Sequence, residues 1–113
     1  MELFTKEIDE KLFSQYQLGS ELETQEVVAR IYNPVGAGVW YLLNSDPKDP
    51  DYLWVIATIH ETEMGSASRA ELESITIGGV FLLERDLNFK PINALELFNK
   101  LIKQEKKEKR IWL

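Results

Sequence analysis

Two groups of charged residues in this sequence are of types that could do chemistry. His60, the only histidine of the 113-residue chain, is followed by Glu61 and, two residues later, Glu63. An imidazole with two carboxylates could ligate a divalent metal or act as a general base. In a strand, however, His60 and Glu61 point to opposite faces, and no second ligand stands at a diagnostic spacing. A surface or strand-end role is therefore the simpler interpretation of His60.

The second group is Glu84-Arg85-Asp86. If this segment is extended through Phe89, Arg85 shares a face with the apolar residues around it, and the two acids share the other face. A buried guanidinium needs a carboxylate partner, because an unpaired buried charge is costly. We expect Glu71 or Glu73, in the preceding helix, to be that partner. The alternative makes Glu84 and Asp86 paired acids for a metal or for acid–base work, but a third ligand is missing.

Other signals for catalysis or cofactor binding are weak. Ser66 and Ser68 follow a glycine, but they lack the pattern of a nucleophile elbow between a strand and a helix. The glycines form no phosphate-binding fingerprint, and the chain has no cysteine, which excludes disulfides and thiolate metal sites. The sequence therefore predicts no catalytic residue, no metal site and no cofactor.

Length and composition indicate one soluble domain spanning residues 1–113. Hydrophobic residues make up 44% and charged residues 28%, which is ordinary for a globular protein. No apolar run approaches the roughly 20 residues that a membrane span needs, and the N-terminus lacks a signal-peptide profile. We expect a cytoplasmic protein that does not contact membranes.

The net charge of −6 is unevenly distributed, because residues 100–113 carry +4 and the remaining residues carry −10. An acidic body repels phosphate backbones, which argues against nucleic acid as a partner except weakly, through the basic tail. Residues 103–113 are predicted to be the projecting, partly disordered basic end of a helix, since lysines there complement the helix dipole in water.

The elements of the first half are predicted from capping signals and β-type runs. Thr5 is placed to cap a first helix, which should stop by Gly19. Three runs of branched and aromatic residues follow, and they are Val27–Tyr32, Val39–Leu43 and Leu53–His60. The short connections between these runs suit antiparallel neighbours, so we expect a meander.

The second half adds two helices and one further strand. Ser68 and Glu71 have the spacing of a capping box that opens a short helix. Gly78-Gly79 permits a turn into Val80–Leu83, predicted as a fourth principal strand, and Asn93 caps the last helix. The fold class is therefore α+β, with an antiparallel sheet of about four to five strands. An N-terminal helix, a short middle helix and a C-terminal helix flank this sheet.

The aromatic residues indicate a binding surface. Strand alternation places Trp54 with Ile56 and Trp40 with Leu42, and both faces of the sheet are too apolar to lie in water. Three short helices are expected to cover one face only, which leaves the other for a partner or for self-association. The candidate surface consists of Arg30, Tyr32, Trp40, Trp54 and Ile56. The alternative is that loops or the first helix cover this face, so that the tryptophans belong to the core.

Several segments resemble the bacterial domain of unknown function 2958 family. The matching pieces, from about Val27 to Leu97, are VVARIYNP, VWYL, EMGSAS with AELES, and GG with VFLLERDLNFKP. The resemblance implies a bacterial cytosolic setting and an accessory protein of mobile elements and phages. It implies no catalytic residue.

From these observations we expect a non-enzymatic accessory protein that acts through protein–protein contacts, with an unidentified protein partner or as a homodimer. Two alternatives stay open. A metal-dependent hydrolase or nuclease would use His60, Glu84 and Asp86, and acids gathered around a cleft would favour it. An acidic mimic of nucleic acid would occupy a DNA-binding protein, and acids spaced like phosphates along one face would favour that.

Overall fold

The structure, a computed structural model, describes residues 2–112, with side chains up to Lys109. In chain order the elements are α1 (Lys6–Ser14), a 3-10 turn (Tyr16–Leu18), β1 (Glu26–Val27), β2 (Ala29–Tyr32), β3 (Val39–Asp46), β4 (Asp49–Thr58), β5 (Thr62–Ser68), α2 (Arg69–Ser74), β6 (Thr76–Ile77), β7 (Val80–Phe81), β8 (Glu84–Arg85), β9 (Ile92–Asn93) and α3 (Ala94–Trp112).

Five of these strands form an antiparallel sheet in the order β5-β4-β3-β2-β8. The predicted fold class, α+β with three flanking helices, is confirmed, and so is the meander through β2, β3 and β4. The sequence prediction missed β5, which is rich in glycine, serine and alanine and has little β-propensity of its own. Its pairing with seven consecutive positions of β4 makes it a strand.

The helix starts follow from local sequence. Each predicted N-cap side chain accepts a hydrogen bond from the amide three residues later, with Thr5 at 3.2 Å, Ser68 at 3.2 Å and Asn93 at 3.0 Å. These bonds satisfy amides that a helix cannot pair internally. The predicted starts of all three helices are therefore confirmed.

The glycine pair makes a hairpin of its own. Gly78 and Gly79 have φ of 59° and 80°, the left-handed conformation at both central positions that suits a two-residue hairpin turn. Thr76 pairs with Phe81 across this turn, and neither β6 nor β7 joins the main sheet. The prediction of Val80–Leu83 as a principal strand is therefore wrong, and β8 is the edge strand instead.

Helices cover both faces of the sheet. One face, here called the α1–α2 face, packs around the fully buried Leu12, Ile31, Leu42 and Leu53. The opposite α3 face packs around Val27, Tyr41, Leu43, Ile56 and Ala94. The expectation that the helices cover a single face is wrong, because α3 has 19 residues and, at about 1.5 Å per residue, spans the width of the sheet.

A buried amide pair fixes the start of α3. Asn44 and Gln25 are 0% and 1% exposed, and Asn44 Nδ2 donates to Gln25 Oε1 at 2.6 Å. Gln25 Nε2 donates to the carbonyl of Glu21 at 2.7 Å, and the amide of Ala94 donates to the Gln25 carbonyl at 2.8 Å. Because buried amides are costly when unpaired, these bonds hold the preceding loop and α3 against β3.

The far end of α3 reaches the turn between β4 and β5. Glu105 Oε1 accepts from the amide of Thr62 at 3.1 Å, and Lys109 pairs with Glu61 at 3.4 Å. The helix thus continues through the region predicted to project, up to Trp112, while the predicted disorder stays a prediction. Leu113 and the side chains after Lys109 lie outside the described residues. No helix in the described part is both long and apolar enough to cross a membrane.

Candidate functional site

Glu84 and Asp86, which only the alternative interpretation made a pair of catalytic or metal-binding acids, contact neighbours on β2. The Tyr32 hydroxyl donates to Glu84 Oε2 at 2.9 Å, and Arg30 Nη1 lies 3.3 Å from Asp86 Oδ2. The Arg30 guanidinium also lies 5.0 Å from the centre of the Tyr32 ring. The pKa of Tyr32 is raised above its ordinary value. The main cause is the hydrogen bond to Glu84, and partial burial of the hydroxyl is the second cause. Each acid is therefore engaged in a structural contact at the β8 edge.

His60 is exposed and lies far from these acids. Thr58, two residues before it, faces Val39, which faces Tyr32, which in turn faces Glu84. At about 4.8 Å per strand, these three steps place the ends of the row roughly 14 Å apart. The structure therefore does not bring His60 together with Glu84 and Asp86. Among the described residues, no three His, Asp or Glu side chains are grouped to hold a metal ion.

Two open hollows flank His60. One has a volume of about 530 Å³ and lies at the β4–β5 turn, where it is lined by Ala57, Ile59, His60, Glu61 and Glu63. The other, of about 240 Å³, lies between α3 and the sheet, and its lining residues are Val39, Tyr41, Thr58, His60, Thr62, Leu101, Gln104, Glu105 and Glu108. Glu105 is already bonded to the amide of Thr62. The imidazole of His60 is therefore exposed and near carboxylates. Among the described residues, none of these carboxylates is hydrogen-bonded to it as an acid–base pair would be.

The two tryptophans of the candidate surface lie on opposite faces. Trp40 faces Ala57 and packs into the core of the α1–α2 face, whereas Trp54 packs into the core of the α3 face. The prediction of one shared face is therefore wrong. Alternation divided the residues of each strand correctly between its two faces. It does not fix the register between neighbouring strands, and a shift of one residue moves a side chain to the opposite face of the sheet.

The remaining members of that surface have separate environments. Ile56 is fully buried in the core, so it is not accessible on the surface of this chain. Arg30 and Tyr32 face Tyr41 and Val39, on the α3 face, and both are half-buried. A part in partner binding stays a prediction for Arg30 and Tyr32, now as members of the β2–β8 contact rather than of a tryptophan patch.

Arg85 has the predicted orientation. It faces Ile31 on the α1–α2 face, is half-buried, and donates from Nε to the carbonyl of Glu2 at 3.2 Å. Glu71 and Glu73 are exposed on α2, and their pairing with Arg85 stays a prediction. The extended row does not continue to Phe89, whose amide donates to the Asp86 carbonyl in a turn and whose ring packs on the α3 face.

A short ion pair that the sequence reasoning missed joins three elements. Arg69 Nη1 lies 2.8 Å from Asp9 Oδ1 on α1, and Arg69 Nε donates to the carbonyl of Pro50 on β4 at 2.8 Å. The guanidinium also stacks 4.1 Å from the centre of the Phe4 ring. Arg69 and Asp9 are 60 residues apart, so no local pattern announces their contact. We interpret this cluster as structural.

The hairpin of β6 and β7 is an exposed apolar projection. Ile77, Val80 and Phe81 have 59%, 69% and 74% of their surface exposed. Ile77 and Val80 pair across the turn on one face of the ribbon, and Phe81, paired with Thr76, lies on the other face. Isolated apolar side chains are common on protein surfaces, but three on one short ribbon concentrate exposed apolar area in this hairpin. The sequence signal for it was present, since β-type residues, Thr76-Ile77 and Val80-Phe81, flank Gly78-Gly79, but Val80–Leu83 was assigned to the main sheet. This hairpin is the strongest candidate functional surface.

Comparisons with known proteins identify a family and no activity. The family model described as "Protein of unknown function (DUF2958)" matches residues 3–108. No curated protein and no solved structure matches this chain.

Proposed function

The chain belongs to the DUF2958 family, whose function is unknown, and we propose from its geometry that it is a non-enzymatic module that binds a partner protein through the β6–β7 hairpin. The observation that carries the proposal is the exposure of Phe81, Val80 and Ile77 on one ribbon. The contacts of Glu84 and Asp86 supply no rival site, because each acid is bonded to a residue of β2.

The hairpin has the properties of a binding element. Full burial of a side chain such as Phe81 or Val80 is worth about 1.5–3 kcal/mol, and aromatic anchors concentrate the energy of interfaces. The two left-handed glycines and the hydrogen bond from the Leu82 amide to the Ile75 carbonyl, 3.0 Å, close the ribbon in advance. A preformed ribbon loses little conformational entropy on binding.

The surroundings of the hairpin indicate the chemistry of its partner. Glu71 and Glu73 are exposed on α2, just before the hairpin, and the body of the chain is acidic. A partner with an apolar cleft and a basic rim would complement both features. We place this interaction in the bacterial cytosol, with a role as an accessory protein of mobile elements, as the family resemblance implies.

A photocrosslinking experiment with a matched control tests the proposal. A benzophenone amino acid at position 81 should crosslink a host protein, which is then purified and titrated. Phe81→Ser should weaken its binding by about 30-fold, the loss of a 2 kcal/mol hot spot. Leu87→Ser is the control, because Leu87 is also apolar and 67% exposed but lies outside the hairpin.

Both variants should keep the thermal midpoint of the parent, since neither side chain is buried. Retention of the partner by Phe81→Ser, or equal losses in Phe81→Ser and Leu87→Ser, would contradict the proposal. The same holds if the crosslinker at position 81 captures no host protein.

A further inference from the structure

The second feature that points outside the chain is the edge formed by β5. Within the described residues β5 pairs with β4 on one side only, and the opposite edge of the sheet, β8, has just two residues. The β4–β5 register runs without a break from Thr62 to Ser68. Natural edges are commonly blunted by lysine, proline or a bulge. This seven-residue edge has no lysine, proline or bulge, and its one charged residue is Glu63. Glu105 of α3 occupies the Thr62 amide at one end of the edge, which leaves the stretch around Gly65 for a partner.

Gly65, in the middle of β5, is not required by the fold of the chain itself. Its φ is not in the left-handed region, and a Cβ built on it would meet no atom within 4 Å. Glycine weakens a strand interior, and it often marks a place where another backbone approaches closely. Because no atom of the described chain makes that approach, the glycine points to a partner.

We propose that two copies of this chain pair β5 to β5, antiparallel, around a twofold axis at Gly65. In that register Glu63 lies opposite Ala67 of the second copy, and Met64 lies opposite Ser66 of the second copy. No like charges face each other, although the chain carries a net charge of −6. An isologous contact of this kind needs only one surface that is complementary to itself.

The hydrogen-bonding direction of β5 fits this register. The Thr62 amide donates to Glu105 Oε1 at 3.1 Å, so it points away from β4. Because amides alternate along a strand, those of Met64 and Ser66 also point outward and can bond to the second copy. Gly65 then forms the non-hydrogen-bonded central pair, in which Cα atoms come closest, at about 4.5 Å. Glycine suits that position on both copies.

The expected dimer is weak and depends on concentration. A strand of seven residues is about 24 Å long, and its edge offers less area than the roughly 1,200 Å² at which stable interfaces begin. Sedimentation between micromolar and millimolar concentration should therefore show a shift from monomer toward dimer. In amide NMR spectra the concentration-dependent shifts should centre on residues 64–66. This self-association is independent of the hairpin proposal.

A charge exchange at position 65 tests the register. Gly65→Lys and Gly65→Glu should each weaken self-association by about fivefold or more, because like charges then meet at the central pair. Mixing the two variants should give stronger association than either variant shows alone, because opposite charges then meet at the central pair. Gln17→Lys and Gln17→Glu are the controls, because Gln17 is exposed and lies outside β5, and both should associate like the parent.

Ser66→Pro provides a second test, since it removes one outward amide and none of those that face β4. It should unfold cooperatively like the parent but stay monomeric. A parent that remains monomeric at millimolar concentration overturns the inference. So does a mixture of the Gly65→Lys and Gly65→Glu variants that fails to associate, or concentration-dependent shifts that lie outside β5.

Discussion

Replacing Arg69 by alanine is expected to destabilise the fold more than the loss of an exposed ion pair would. The side chain is only 15% exposed, and it makes a 2.8 Å ion pair with Asp9 and a 2.8 Å hydrogen bond to the Pro50 carbonyl. Charge-assisted hydrogen bonds contribute about 1.5–3 kcal/mol each, and a cation–π contact such as that with Phe4 adds about 0.5–1 kcal/mol.

The net loss is smaller than the sum of these contacts. Arg69 Nη2 is buried without a hydrogen-bond partner among the described residues, so the native side chain carries a desolvation cost that the variant removes. Water can also reach Asp9, which is 30% exposed, once the arginine is gone. We therefore expect a loss of about 2–3 kcal/mol in the free energy of unfolding, or about 8–12 °C in the melting temperature.

Urea denaturation followed by tryptophan fluorescence measures this loss. Arg69→Lys should cost about 1 kcal/mol, because it keeps the charge but loses the fork that contacts Asp9 and Pro50 at once. Lys100→Ala is the control, since the Lys100–Glu96 pair is 65% and 57% exposed and should contribute little. A double-mutant cycle with Asp9→Ala isolates the coupling. A loss below about 0.5 kcal/mol for Arg69→Ala would refute the reasoning.

Two further predictions concern backbone conformation and pH. Gly38→Ala should lower the free energy of unfolding by about 1–3 kcal/mol, because φ is 127° and the new Cβ would lie 2.9 Å from Trp40 Cη2. Gly65→Ala should instead raise it by about 0.4–1 kcal/mol in dilute solution, because its φ is ordinary and its Cβ would meet no atom within 4 Å. Hydrogen bonds from the Ala70 amide and then from a serine hydroxyl lower the pKa of Asp51, so its contribution is present above the ordinary aspartate pKa and is lost as pH falls through the lower folded value. Urea unfolding between about pH 2 and pH 6 should therefore depend less steeply on pH in Asp51→Asn than in the parent, and equal slopes would contradict this prediction.

Sequence patterns predicted the features that depend on near neighbours. The caps at Thr5, Ser68 and Asn93 were correct because a capping bond joins residues three positions apart. The hydrophobic runs of β2, β3 and β4 were correct because period-two patterns are local as well. The fold class followed from these elements.

Features that depend on register or on distant contacts were not predictable in the same way. Trp40 and Trp54 lie on opposite faces because β3 pairs with β4 in the register that puts Trp40 opposite Ala57. The sequence of a single strand does not encode that register. The strand β5 exists because β4 pairs with it, since GSAS alone favours turns. The ion pair of Arg69 with Asp9 joins residues 60 positions apart. Sequence patterns assign an acidic partner to Arg85, and its pairing with Glu71 or Glu73 stays a prediction.

The covering of both sheet faces limits where this protein can act. In a sheet with one open face, ligands or partners can bind on that face, as the sequence suggested for the tryptophans. Here α3 occupies the second face from Ala94 to the β4–β5 turn, so broad contact across the sheet would require α3 to detach. Detaching it would expose the buried Gln25–Asn44 pair and the apolar core beneath, which is costly. The binding that we propose at the periphery, through the β6–β7 hairpin and the β5 edge, requires no such rearrangement.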